Sequence, residues 1–261
     1  MQTFVYFVVK SDPLTTKVTK DFTKVSKACE TLWMKMAEAG IYHASVEDRA
    51  LAAWEIVSVS ASALVAEWVV FALAGDRPAA LLFPVVTAVA FMLISHRARR
   101  ESARDVGWRL DNFVRAARLL APPMLVVSIL LVGFGWYNST LDFRRWEGGQ
   151  SILGIPALSL LWGPLQQYAL QGFINRRAQV ALGRGWASIL LVAFLFALFH
   201  LPNPWLTLAT FTGGLLWAYV YQRVPNLFAV GLSHGLMTWV LISSVPPSAL
   251  HNLRVGFKYF G

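Results

Sequence analysis

The feature that most constrains this chain is a succession of apolar stretches, each about as long as a membrane-crossing helix, divided by short basic connections. Seven can be marked, at roughly 51–74, 79–95, 119–138, 152–175, 186–202, 205–222 and 226–245. About 20 apolar residues in a helix cross the hydrocarbon layer of a bilayer. The stretches at 79–95, 186–202 and 205–222 are short for this and rely on tilt or on neighbouring helices. Composition agrees: 56% of residues are hydrophobic and 14% are charged, against about a quarter charged in a soluble domain. The predicted fold class is an all-α, polytopic transmembrane helix bundle of about seven spans.

The formal net charge of +9 does not require nucleic acid as a partner, because the basic residues gather between the apolar stretches. "HRARRESAR", "NRRAQVALGR" and "YQR" follow the second, fourth and sixth spans. Placing all three in the cytoplasm satisfies the positive-inside tendency. That places the N-terminus in the cytoplasm and the tail 246–261 outside. Arg144 and Arg145 run against this trend. The longer segment "HRARRESARDVGWRLDNFVRAARLL" has helical periodicity. Residues 1–50 read as a cytoplasmic region with no secretory signal peptide. Within it Val18, Phe22, Val25, Cys29, Leu32 and Met36 share one helical face, opposite Lys17, Lys20, Lys24, Lys27 and Lys35. Such a basic amphipathic helix suits an anionic lipid surface, or the cytoplasmic side of the protein itself. Cys29 is the single cysteine, which excludes an internal disulfide.

Polar side chains at membrane depth are costly and turn towards other helices or water. Here they are Glu67, the cluster Gln166, Gln167 and Gln171, then His200, and His234 with Thr238. Glu55, near the start of the first span, is expected at the interface. Gln167, Gln171 and Asn175 repeat every four residues and line one helical face, with Gln166 on the adjoining stripe. On spacing alone this is a seam of amides hydrogen-bonded between helices. The spans put Gln166 and His234 about 12 Å from the cytoplasmic side and His200 about 21 Å from it, at 1.5 Å rise per residue.

The order of three motifs resembles the CPBP intramembrane protease family (CAAX proteases and bacteriocin-processing enzymes, also called Abi). Its members carry Glu-Glu-x-x-x-Arg on one span, Phe-x-x-x-His on the next, and His-x-x-x-Asn further on. Here these align with "QQYALQ", "FALFH" and "HGLMT", over a core of about 80–245. Gln166, Gln167 and Gln171 stand for the two glutamates and the arginine. Phe196, His200 and His234 are intact, and Thr238 replaces the asparagine.

The resemblance implies an endopeptidase acting on membrane-anchored, prenylated or similar polypeptides. It implies that the first glutamate is the general base, and that the histidines bind a metal or stabilise an oxyanion. Zinc on His200 and His234 is the cofactor so implied. A carboxamide cannot take a proton from water near neutral pH, and general-base catalysis contributes about 10²–10⁴-fold. Activity is therefore expected to be weak or lost, and Glu67 is the one relocated base the spans offer. Two further readings stand beside this one: a non-catalytic relative that binds membrane proteins or peptides, and a transporter, for which matching broken repeats are not evident.

Overall fold

The computed structural model describes residues 45–74, 78–145 and 162–261, and the amphipathic helix expected near the N-terminus lies outside them. Helix α1, Val46–Val65, carries Glu47 and Asp48 in its first turn, where acids complement the helix dipole. A π-helical turn, Ala66–Val70, leads into α2, Phe71–Ala74. Helix α3 runs Pro78–Ala98. The basic segment that follows is not one helix. Ser102 and Asp105 form a capping box on the short α4, Ala103–Val106, and Gly107 ends it at φ 105°, a conformation that favours glycine. Helix α5 then starts at Phe113, six residues before the apolar pattern alone suggests, and ends at Tyr137.

Residues 162–167 are helical and pass into a π-helical segment, Tyr168–Asn175, then α6, Arg176–Leu182. Helix α7 is Trp186–Leu198, α8 is Pro204–Arg223 and α9 is Leu227–Ser244. The fifth span is thus shorter than its apolar run, because "LPNP" breaks the helix. A residue before proline disfavours the α conformation. Asn203 then N-caps α8 by accepting from the Leu206 N–H, with Pro204 at the first helical position. His200 consequently lies in a turn beyond the helix end rather than within it.

The principal packing pairs are α7 with α8, α5 with α9, and α1 with α6. Among the described residues three segments are long and apolar enough to cross a membrane: Val46–Val70, Phe113–Tyr137 and Leu227–Ser244. Only 17% of the apolar window of α5 is buried within the protein, although its mean hydropathy is 2.0. Leu125, Ile129, Leu130 and Trp136 on it are all exposed. Such a surface is compatible with lipid as the solvent and not with water. Helix α9 is the reverse, with 56% of its window buried, and holds the centre of the bundle. The chain is an integral membrane protein, all-α among the described residues.

The arginines that ran against the charge trend have a local explanation. Arg145 donates to the carbonyls of Ile242 and Val245 at the end of α9, and to that of Thr140. A cation there satisfies helix-terminal acceptors and complements the dipole.

Candidate functional site

The site begins at a helix crossing built on glycine. A Cβ on Gly163 would lie 2.8 Å from the Gly231 carbonyl oxygen, and one on Gly231 would lie 2.8 Å from the Pro164 Cα. Only hydrogen side chains allow backbones this close. One turn further along each helix, Gln167 meets His234, with Gln167 Nε2 3.1 Å from His234 Nδ1. Both residues are buried. An amide N–H donates and the bare Nδ1 accepts, which puts the imidazole proton on Nε2.

An aromatic box fixes the His234 ring. The Trp217 ring lies tilted over it at 4.6 Å between centroids, and the Phe196 ring meets it edge-on at 5.6 Å. Trp217 is held in turn by its indole N–H, which donates to Ser233 Oγ at 2.9 Å. His200 meets the same Phe196 ring edge-on from its other neighbour position, at 5.0 Å. The two histidines that the spans placed at different depths therefore share one aromatic side chain. The chain turns back after Leu198, and this brings His200 to Phe196. His200 Nδ1 donates to the Phe196 carbonyl at 2.7 Å. Its Nε2 is then the unprotonated nitrogen, the opposite tautomer to His234.

The remaining amides form a chain whose direction is pinned by backbone groups. The Gly185 N–H donates to Gln222 Oε1 at 3.1 Å, so Gln222 Nε2 is a donor, to Asn175 Oδ1 at 2.9 Å and to Ser188 Oγ. Asn175 Nδ2 therefore faces the Ala218 carbonyl and donates to Gln171 Oε1 at 2.7 Å. Gln171 Nε2 and Gln167 Oε1 are left buried without a partner among the described residues. They are one donor and one acceptor, one turn apart on the same helix face. Gln171 and Asn175 sit on the π-helical segment, with Gln167 immediately before it, a winding found mainly as single turns within α-helices and often at functional sites.

The other residues singled out in the sequence are less closely tied. Gln166 is half-buried, beside Gln167. Thr238 is half-buried, one turn after His234 on α9. Glu67 packs against the C-terminal turn: a Cβ on Gly256 would lie 3.0 Å from the Glu67 Cβ, and the Gly256 N–H donates to the Leu201 carbonyl. Its Oε2 has no partner among the described residues, and its carboxylate makes no hydrogen bond there to either histidine.

Sequence reasoning missed a second polar centre. Glu55 is buried rather than interfacial. Its Oε2 lies 2.8 Å from Arg99 Nη2 and 3.0 Å from Arg177 Nε, and the Ser95 hydroxyl donates to its Oε1. Arg177, fully buried, also pairs with Glu101 at 2.8 Å, as does Arg176, and His96 bonds the same carboxylate. Burial alone raises the Glu101 pKa, but the hydrogen bonds from His96 and Arg177 and the charges of Arg176 and Arg177 outweigh it and hold the carboxyl well below its usual range. These charges stand far apart in the sequence, Arg99 44 residues from Glu55 and Arg176 75 residues from Glu101, and only the fold joins them.

Residues 148–240 match the family model of the type II CAAX prenyl endopeptidase Rce1-like group. The matched stretch contains all three motifs, from Gln166 to Thr238. No curated protein and no solved structure matches the chain. The resemblance to CAAX-type prenyl endopeptidases is thus shown over that stretch of an integral membrane protein.

The donor set fits zinc poorly. Among the described residues no three His, Cys, Asp or Glu side chains gather as a metal site. A catalytic zinc takes three protein ligands and a water. His200 Nε2 is a free lone pair, but His234 carries its proton on Nε2 and gives Nδ1 to Gln167. Chemically the pair offers one acceptor and one donor: a lone pair able to take a proton from water, and an N–H able to hold a carbonyl oxygen.

Proposed function

We propose that this protein binds membrane-anchored polypeptides, prenylated ones included, in the cavity of a CAAX-type protease, and that its peptide hydrolysis is weak or lost. The observation that carries this is the environment of the histidines. Their hydrogen-bond partners are the Gln167 amide and the Phe196 carbonyl, and no carboxylate is bonded to either among the described residues. The unpartnered Gln171 N–H and Gln167 carbonyl match the needs of a peptide group, which offers one acceptor and one donor. The orientation proposed with it, from the basic connections after the second, fourth and sixth expected spans, has the N-terminus in the cytoplasm and Glu67 towards the outer side.

One observation favours a second reading, slow endopeptidase activity. The bare Nε2 of His200 can act as base in place of the missing glutamate, with His234 Nε2–H on the oxyanion. Glu67 as relocated base is a weaker form of it, since the glutamate contacts neither ring. A transporter role has no such support.

The test is cleavage of a fluorogenic farnesylated peptide by purified protein, with binding of the same peptide followed by anisotropy. Binding without turnover is expected. Turnover abolished by His200→Ala or His234→Ala would overturn the binding reading, and turnover abolished by Glu67→Gln would assign the base to Glu67. Gln166→Glu with Gln167→Glu and Gln171→Arg asks whether the cavity still supports the chemistry.

A further inference from the structure

A separate cavity of about 820 Å³ opens between the first turns of α5, the loop before α7 and the last turn of α8. Four arginines line it: Arg115, Arg118, Arg184 and Arg223. Arg115 and Arg118, one turn apart and exposed, make no ion pair or hydrogen bond among the described residues. Arg223 stacks on the Tyr219 ring at 4.5 Å, and Arg184 donates to the Gln222 carbonyl, so both are oriented without being neutralised. The one acid at the rim, Asp111, is already paired with Arg104 at 2.9 Å and with Arg109. Four guanidinium groups thus face one cavity with no free carboxylate to balance them.

The surroundings fit an amphiphile. Trp186 on the rim is 65% exposed, and Val114 and Leu119 are exposed beside it. The cavity lies where apolar helices meet arginine-rich loops, the level at which tryptophans mark a membrane interface. Basic pockets between membrane helices at that level recognise anionic headgroups. Guanidinium forks pair with phosphate oxygens bidentately.

We propose that this cavity is a binding site for the headgroup of an anionic phospholipid, with the phosphate on Arg115 and Arg118 and the glycerol and acyl chains passing over Trp186 and Leu119.

The experiment uses the full chain in neutral detergent, exchanged against phosphatidylglycerol, cardiolipin or phosphatidylcholine, with retained lipid read by native mass spectrometry. Retention of the two anionic lipids, and not of phosphatidylcholine, is expected. Arg115→Gln with Arg118→Gln should weaken that binding roughly thirty-fold, from the contribution of two cations near a charged lipid surface. Arg97→Gln with Arg100→Gln, which removes the same charge from exposed positions at the end of α3, should change it by less than about three-fold. Arg115→Lys with Arg118→Lys, which keeps the charge and loses the bidentate fork, should bind more tightly than the glutamine pair and less tightly than the parent; lysine variants no better than the glutamine pair would overturn the charge argument. Equal retention of phosphatidylcholine, or equal binding by the glutamine pair and its control, would overturn the proposal. So would displacement of the lipid by millimolar inorganic phosphate, which would make this a site for soluble anions.

Discussion

Restoring the charges of the protease motif one at a time should damage the protein more than restoring them as a pair. Gln167 and Gln171 are each 0% exposed. Gln167→Glu alone puts a carboxylate against the uncharged Nδ1 of His234, in place of the amide 3.1 Å away. Gln171→Arg alone replaces an acceptor with donors. Asn175 Nδ2 then loses its 2.7 Å partner and keeps only the Ala218 carbonyl at 3.4 Å. A buried charge without its counter-ion costs roughly 3–5 kcal/mol, and a lost neutral hydrogen bond adds about 1 kcal/mol. Side chains four apart do meet on this segment, as the Gln171–Asn175 bond demonstrates. Glu at 167 with Arg at 171 would therefore pair in the favourable N-to-C order. The double variant should lose only about 1–2 kcal/mol, the broken amide contacts plus residual desolvation. A double-mutant cycle by denaturant unfolding in micelles should then give several kcal/mol of favourable coupling. Single effects that add to within about 0.5 kcal/mol would refute the claim that the two glutamines replaced a charge pair as a unit.

Three further outcomes follow from the same geometry. Arg177→Ala should cost about 3–5 kcal/mol, because it removes the fully buried cation that Glu55 and Glu101 share, leaving Arg99 alone on the one and Arg176 with His96 on the other, and a thermal unfolding shift in detergent would register it. Glu101 is held below its ordinary value near 4.5, so its stabilising contribution is complete above that value and is lost as pH falls through the lower folded one. Unfolding temperature should thus decline below about pH 5, and Glu101→Gln should lower it at pH 7 while flattening the decline. Gly231→Val should push a side chain into the Pro164 backbone, cost at least about 1–3 kcal/mol, and separate Gln167 from His234, read as a lost histidine proton resonance shift on adding Gln167→Ala.

The helical fold was legible because lipid imposes a simple code: long apolar runs with basic breaks. α9, α8 and most of α5 are where that code puts them. The code failed at α7, where hydropathy continues to His200 but Pro202 and Asn203 end the helix sooner. Of the site, the glutamines and histidines were legible through their order. Their convergence follows from Gly163 and Gly231, whose role as a contact point no periodicity reveals. Glu55 was misread because a carboxylate near a span end looks solvated until Arg99 and Arg177 are brought to it from 44 or more residues away.

One helix therefore sorts its polar groups by the cost of burying them. Gln167, Gln171 and Asn175 are neutral and fully buried; Gln171 and Asn175 are bonded to each other, Asn175 to the Ala218 carbonyl and Gln167 to His234. One residue later the helix turns to full charge at Arg176 and Arg177, where the loop after α3 supplies Glu101 and α1 supplies Glu55. Helix α6 is thus fastened to α1 by ions that lie outside the motif, while the motif itself contributes amide contacts to α8 and α9. A glutamate–arginine pair at 167 and 171 would add charge where the bundle already closes without it. On the proposed reading the missing base is at Gln166, while neutral amides at 167 and 171 leave the packing that shapes the cavity. The proposed loss of hydrolysis is thus compatible with the proposed polypeptide binding: the missing base would stand at position 166, whereas Gln167 and Gln171 keep the buried, unpartnered amide groups offered to a peptide.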